Sequence, residues 1–269
     1  MSYFEAIAFN DVKLSATPQP GSWRYNHHEQ FQQFEDFQKT KKIKPESGKN
    51  TIYLQPIGDF SLLQKKEIKF TKEYLKIYFQ LETKILPVLP NSIFPKNVKR
   101  IFKDGQEQVL AGYVLDSVLI KRKPKDAVVL MGITERDLYP RPDWNYVFGF
   151  ASYENGVGVT SMYRFANGHL TDSNFNESLT RLMKISSHEI GHMFGVTHCL
   201  NANCVMNGTS TLSETDFHYV RACSLCQRKL NSNIPYNNKK RLLELKRFFE
   251  KHHLHSELAR TEQDLNLLR

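Results

Sequence analysis

The chain has 269 residues, 40% of them hydrophobic and 24% charged, with 18 Phe and 12 Tyr available for a core. That composition belongs to a globular protein of one large or two small domains. No run of about 18 apolar residues occurs, so no membrane span is expected.

The net charge is +9. The lysines are spread over Lys39–Lys49, Lys65–Lys76, Lys121–Lys125 and Lys239–Lys251. No strip alternates basic and aromatic residues as a base-stacking platform would, so the charge is read as a solvated surface and not a nucleic-acid site. Met1-Ser2-Tyr3-Phe4-Glu5 has neither a basic nor an apolar leader region, so no secretory signal is expected there.

In chain order, residues 1–49 form a polar, irregular lead-in, with Pro18, Pro20 and Gly21 marking a loop. Phe31, Phe34 and Phe37 suit a short helix laid on the core. His27 and His28 are read as surface or packing residues. Asn50–Gly58 reads as a first strand, and Leu62–Leu86 as a long helix that Pro87 ends. Ile93–Phe102 is expected to hold a second strand, and Gln106–Ile120 a second helix. Ala127–Thr134 is a continuous apolar run, as a central strand covered on both faces shows. Tyr146–Ser152 and Val157–Phe165 complete the expected strands, with a turn at Gly156 and Gly158 between them. Strand and helix alternation followed by hairpins implies an α+β fold, a mixed twisted sheet with packed helices.

A further helix is expected from about Asn176–Leu179. Leu179, Leu182, Met183, Ile190, Met193 and Phe194 form its apolar stripe. It runs into His188-Glu189-Ile190-Gly191-His192. Two histidines four apart share one helix face, and Ile190 lies about 200° round from His188, so the imidazoles face a cleft while the stripe anchors them. Gly195 can end the helix in a left-handed turn that returns His198. The string H-E-x-x-H-x-x-G-x-x-H gives a zinc ion three ligands, leaves its fourth position open, and sets Glu189 as general base. All four cysteines follow: Cys199, Cys204, Cys223 and Cys226. They read as a closed four-cysteine structural zinc site in a reducing compartment. Two Zn2+ per chain are therefore expected, one catalytic and one structural.

Ser213–Arg228 is expected to be a helix carrying Cys223 and Cys226, and Arg241–Leu258 another. His252, His253 and His255 read as a solvated helix end. The tail beyond Ala259 is expected to be loosely held.

A three-histidine motif followed at once by four cysteines resembles the archaemetzincin family of metzincin zinc peptidases. Pro20-Gly21-Ser22-Trp23 with Glu29 resembles the family's N-terminal lead-in, and Asp137–Pro140 with Trp144–Gly149 resembles the approach to its sheet edge. The resemblance implies a metzincin-like fold and a zinc metallopeptidase acting on peptides or proteins. It makes Met206 the methionine of the Met-turn beneath the catalytic metal. It also implies an edge strand near Tyr146–Ser152 that pairs with substrate. The expected organisation is a lead-in (1–49), a sheet-bearing subdomain with the active-site helix (50–195), and a smaller helical, zinc-bound C-terminal subdomain (196–269). A cytoplasmic or nuclear location is expected from the absent leader and the clustered thiols. The rival reading is a zinc-dependent protein that binds peptide or nucleic acid without cleaving; it leaves Glu189 without a role.

Overall fold

The computed structural model describes residues 2–103 and 105–268. Strands β1 (Thr51–Ile57), β2 (Thr83–Ile85), β3 (Lys99–Ile101), β4 (Glu107–Leu110), β5 (Ala127–Thr134), β6 (Asp137–Tyr139), β7 (Gly149–Ser152) and β8 (Val157–Ser161) follow in chain order. Five form a mixed sheet in the order β2-β1-β5-β8-β7. Its first four strands are parallel; β7 pairs antiparallel with β8 and forms an edge. A smaller sheet orders β3-β4-β6.

Every residue of β5 is buried, because helices cover both faces of the main sheet. Helices Leu62–Phe79 and Phe175–Met193 pack together on one face. A helical stretch from Ala111 to Arg122, wound as a π-helix over Val114–Leu119, covers the other. The alternation of β5 is broken by one residue. Thr51 pairs with Ala127 but Ile52 with Val129, so Val128 is a bulge. Val128 and Val129 therefore both reach the main core, and strict alternation resumes at Leu130.

Several expected elements differ. The first long helix starts on a capping box, with Gln64 N donating to Ser61 Oγ at 3.2 Å and Ser61 N to Gln64 Oε1 at 2.9 Å. It stops at Phe79, where Gln80 turns left-handed, and Leu86 lies beyond it. Thr83–Ile85 instead joins β1 as the sheet's other edge. Within Ile93–Phe102 only Lys99–Ile101 is strand, after short 3-10 turns. Gln106–Ile120 begins as β4 before it turns helical at Ala111. Val157–Phe165 is strand only to Ser161, and the lead-in helix covers Phe34–Lys39 and excludes Phe31.

The C-terminal part holds helices Leu212–Phe217, Ser224–Asn233, Asn238–Lys251 and His255–Asn266. The single helix expected over Ser213–Arg228 is interrupted because Arg221 O accepts from Val205 N at 3.0 Å, which draws the chain onto the Met206 segment. Arg241–Leu258 is likewise two helices, broken where His253 takes φ 55°. His252 is not solvated: its ring lies 4.1 Å from Phe70 and 4.5 Å from Phe248, centroid to centroid. Nor is the tail loose. Buried Arg221 pairs with Asp264 at 2.7 Å and with Asp11 at 2.7 Å, and donates to Ile7 O at 2.8 Å. One guanidinium thus clasps both ends of the chain. No helix among the described residues is long and apolar enough to cross a membrane.

Two stability predictions follow from these buried charges. Arg221→Ala leaves two buried carboxylates unpaired and should lower the unfolding free energy by about 3–5 kcal/mol; an unchanged urea midpoint would show that the clasp contributes nothing. Glu67 is buried on the Leu62–Phe79 helix, and desolvation, opposed only partly by Ser178, pushes its carboxyl up to about 7. A raised acid pKa favours the protonated native state. Stability should therefore fall as pH rises from about 4.5 to about 7, by roughly 3 kcal/mol at most. Glu67→Gln should flatten that window and raise the melting temperature at pH 8.

Candidate metal centres

The Phe175–Met193 helix is buried almost throughout, with Leu179, Leu182, Met183, Ile190 and Met193 in the main core. His188 and His192 leave it one turn apart. His188 Nδ1 donates to Val205 O at 2.8 Å, and His192 Nδ1 to Val196 O at 2.7 Å. His198 Nδ1 donates to Glu29 Oε1 at 2.7 Å. Carbonyl and carboxylate oxygens only accept, so each Nδ1 carries the hydrogen and each Nε2 offers a lone pair.

The Nε2 atoms of His188 and His192 are 2.9 Å apart. All three histidines bring a ring nitrogen within 4.8 Å of the others. Burial pushes His188 down to about 3 and His192 well below the usual imidazole range, so no proton is available to bridge those lone pairs. A divalent cation fits this donor set. Tyr153 Oη lies 3.0 Å from His192 Nδ1, whose hydrogen is already directed at Val196 O.

The return of His198 depends on Gly195, at φ 89°. Gly195 N donates to His192 O at 2.8 Å and Val196 N to Gly191 O at 3.1 Å, which closes the helix and reverses the chain. A Cβ on Gly195 would come 2.9 Å from Lys42 Cβ. Glu189 lies against the first residue of the edge strand: a Cβ on Gly149 would stand 2.3 Å from Glu189 Oε1. Burial pushes the Glu189 carboxyl up to about 8. Met206 is fully buried, and its sulfur would be 2.5 Å from a Cβ on Gly191, the residue just before His192.

The four cysteines are free, buried and clustered, with their Sγ atoms within 4.8 Å of one another. Backbone amides point at the sulfurs: Cys223 N donates to Cys204 Sγ at 3.1 Å, Met206 N to the same sulfur at 3.4 Å, and Asn201 N to Cys199 Sγ at 3.4 Å. Amide hydrogens aimed at sulfur favour thiolates, and four clustered thiolates need a cation such as zinc. Cys223 caps the Ser224–Asn233 helix and Cys226 sits in its first turn. Two groups of residues could thus hold two zinc ions.

Every metal-site residue expected from the sequence converges here. What the motif did not expose is what holds the histidines: the carbonyls of Val196 and Val205, and the carboxylate of Glu29. Main-chain acceptors leave no trace in residue identity. Gly149 carried a faint one, a glycine set between Phe148 and Phe150 in the expected strand. His27, read as a surface or packing residue, stacks on Trp23 at 3.6 Å, and Trp23 stands edge-on to His198 at 5.0 Å.

Comparison with known proteins is consistent with this geometry. The sequence model of peptidase family M54 matches residues 70–232. The chain is 32% identical over 262 residues to archaemetzincin-2 of Pongo abelii, covering 86% of this chain and 72% of that one. It is 30% identical over 190 residues to the archaemetzincin of Pyrococcus furiosus, covering 69% of this chain and 95% of that one. The crystal structure of the Methanopyrus kandleri archaemetzincin superposes with a TM-score of 0.55 at 26% identity, over 71% of this chain and 99% of the other. The chain belongs to peptidase family M54, the archaemetzincins, and is a zinc metallopeptidase.

Proposed function

We propose that His188, His192 and His198 hold a catalytic zinc, that Glu189 is the general base of peptide hydrolysis, and that Cys199, Cys204, Cys223 and Cys226 hold a structural zinc. The observation that carries this reading is the pinning of three Nδ1–H groups by Val205 O, Val196 O and Glu29, which turns three lone pairs to one point. A zinc held there supplies Lewis acidity, acidifying a water and polarising the scissile carbonyl.

Glu189 follows His188 directly in sequence and abuts Gly149. A dication held by the three histidines would oppose the burial that raises the pKa of Glu189 and favour the carboxylate, which accepts the proton of the attacking water and returns it to the departing amine. The edge strand β7 offers unpaired main-chain groups to an extended peptide, which would add as another strand. Such a peptide would run past Gly149 and therefore past Glu189. Burial of Glu189 keeps competing solvent from its oxygens. Met206 floors the histidine pair through Gly191. The cleft falls between a sheet-bearing part, 50–195, and a C-terminal part, 196–269. Free thiols suit a reducing compartment, so the cytoplasm or nucleus is the location we favour.

Two measurements test this reading. Glu189→Gln should retain both zincs and the fold while peptide cleavage falls by about 10^2–10^4-fold; undiminished cleavage would remove Glu189 from the base role. Cys223→Ser should lose one zinc per chain and lower the melting temperature. Two zincs at wild-type stability in that variant would disprove the four-cysteine site.

A further inference from the structure

We infer that residues 22–32 form a positioning arm for the third histidine, with Glu29 and Gln32 fixing the loop that carries His198. The inference rests on the reading of His198 as a metal ligand. The loop itself is thinly held. His188 and His192 are set by a long buried helix, but Thr197 and His198 lie beyond its end. Val196 still bonds back to that helix through Gly191 O, and Cys199 N is fixed to Met206 O at 2.7 Å. Among the described residues, the hydrogen bonds reaching Thr197 and His198 come from the arm.

Gln32 grips the turn with both ends of its amide. Its Nε2 donates to Gly195 O at 3.0 Å, and its Oε1 accepts from Thr197 N at 3.3 Å. One side chain therefore spans the reversal that follows the helix. Glu29, three residues earlier, receives the Nδ1–H of His198 at 2.7 Å, which sets both tautomer and ring direction. Trp23 completes the hold. Its ring lies edge-on to His198 and fills the space over Gly208, where a Cβ would stand 2.0 Å from the indole nitrogen. Glu214 ties Trp23 down, accepting from Trp23 N at 2.8 Å on one oxygen and from Ser210 N at 2.7 Å on the other.

The arm is anchored in turn on the helix that bears Cys226. Lys229 Nζ donates to Gln32 O at 2.5 Å, and the Arg228 guanidinium stacks 3.9 Å above Phe34. A path of contacts thus runs from the four-cysteine cluster through the Ser224–Asn233 helix to the arm, and from the arm to His198. Residues 22–32 lie outside the 70–232 span that matches the family model. The matched span alone leaves the Nδ1 of His198 without this acceptor, whereas those of His188 and His192 find carbonyls within it.

The test compares the full-length wild type with Glu29→Ala, Glu29→Gln, Gln32→Ala and His198→Ala. Zn2+ affinity is read by titration against a competing chelator, alongside total metal content and thermal melting. Glu29→Ala should weaken one zinc by about 10- to 100-fold, the usual cost of losing such a partner, and leave the second zinc and the melting temperature of the zinc-free protein unmoved. Glu29→Gln, which keeps an acceptor oxygen, should recover part of the loss, and Gln32→Ala should weaken the same zinc. Two zincs in the wild type, with one weakened by His198→Ala but neither by Glu29→Ala or Gln32→Ala, overturn the arm alone. Equal weakening of both zincs with a lowered melting temperature also overturns it, as a merely structural role. A wild type holding one zinc, unaffected by His198→Ala, overturns the three-histidine reading and the arm with it.

Discussion

The centre depends on hydrogen bonds made on the side of each imidazole that faces away from the metal position. A neutral imidazole has one donor and one acceptor nitrogen, and spending the donor on a fixed oxygen decides where the acceptor points. Val205 O, Val196 O and Glu29 do this for His188, His192 and His198. The cost is electrostatic. Two lone pairs stand 2.9 Å apart in a buried place, an arrangement that is favourable only around a cation. The rest of the fold can be read as the means of bringing three oxygens, from three separate segments, to these positions. The Met206 segment supplies one, the turn at Gly195 another, and the N-terminal arm the third.

The two metal sites share the parts that make them rigid. Cys199 adjoins His198, and its amide is bonded to Met206 O. The Asn207 side chain donates to Cys199 O at 2.7 Å and Ala202 O at 3.0 Å, and accepts from Cys204 N at 2.7 Å. One amide therefore closes the loop between the first two cysteines while its neighbour Met206 packs beneath Gly191. Any movement of the cysteine loop would move the floor of the histidine site. Arg221 adds a longer connection, since it stands two residues before Cys223 and holds both termini through Asp11 and Asp264.

The two donor clusters were legible in the sequence because they are carried by residue type and spacing. So was β5, whose eight apolar or small residues match the strand from end to end. Element ends were less legible, for identifiable reasons. Leu62–Leu86 keeps a helical pattern through Leu81, yet Gln80 turns left-handed because Thr83–Ile85 can pair with β1, a long-range gain that no local pattern records. Gln106–Leu110 looks amphipathic in either period and is settled by pairing with β3 and β6. Ser213–Arg228 breaks because four sulfurs must meet. The tail was read as loose from its polarity, but Thr261 and Asp264 are polar residues with buried partners. The apolar stripe of the active-site helix was read correctly. The opposite face is also covered, because the Leu212–Phe217 helix and the Met206 segment close over it.

The contact between Glu189 and Gly149 joins the site's two halves most directly. The first belongs to the metal-bearing helix and the second to the sheet edge, and with a side chain at 149 they could not approach. A peptide held on that edge has its position along the strand set by backbone register, in steps of about 3.4 Å per residue. A base attached to the helix alone could drift against that register when the helix shifts on the sheet. Under the roles proposed above, a base pressed against the strand's own first residue would not, since its reference point is the edge proposed to hold the peptide. The same contact explains why the helix is buried on the side of its functional residues. Packing Glu189 onto Gly149 ties the histidine-bearing helix to the strand at one point.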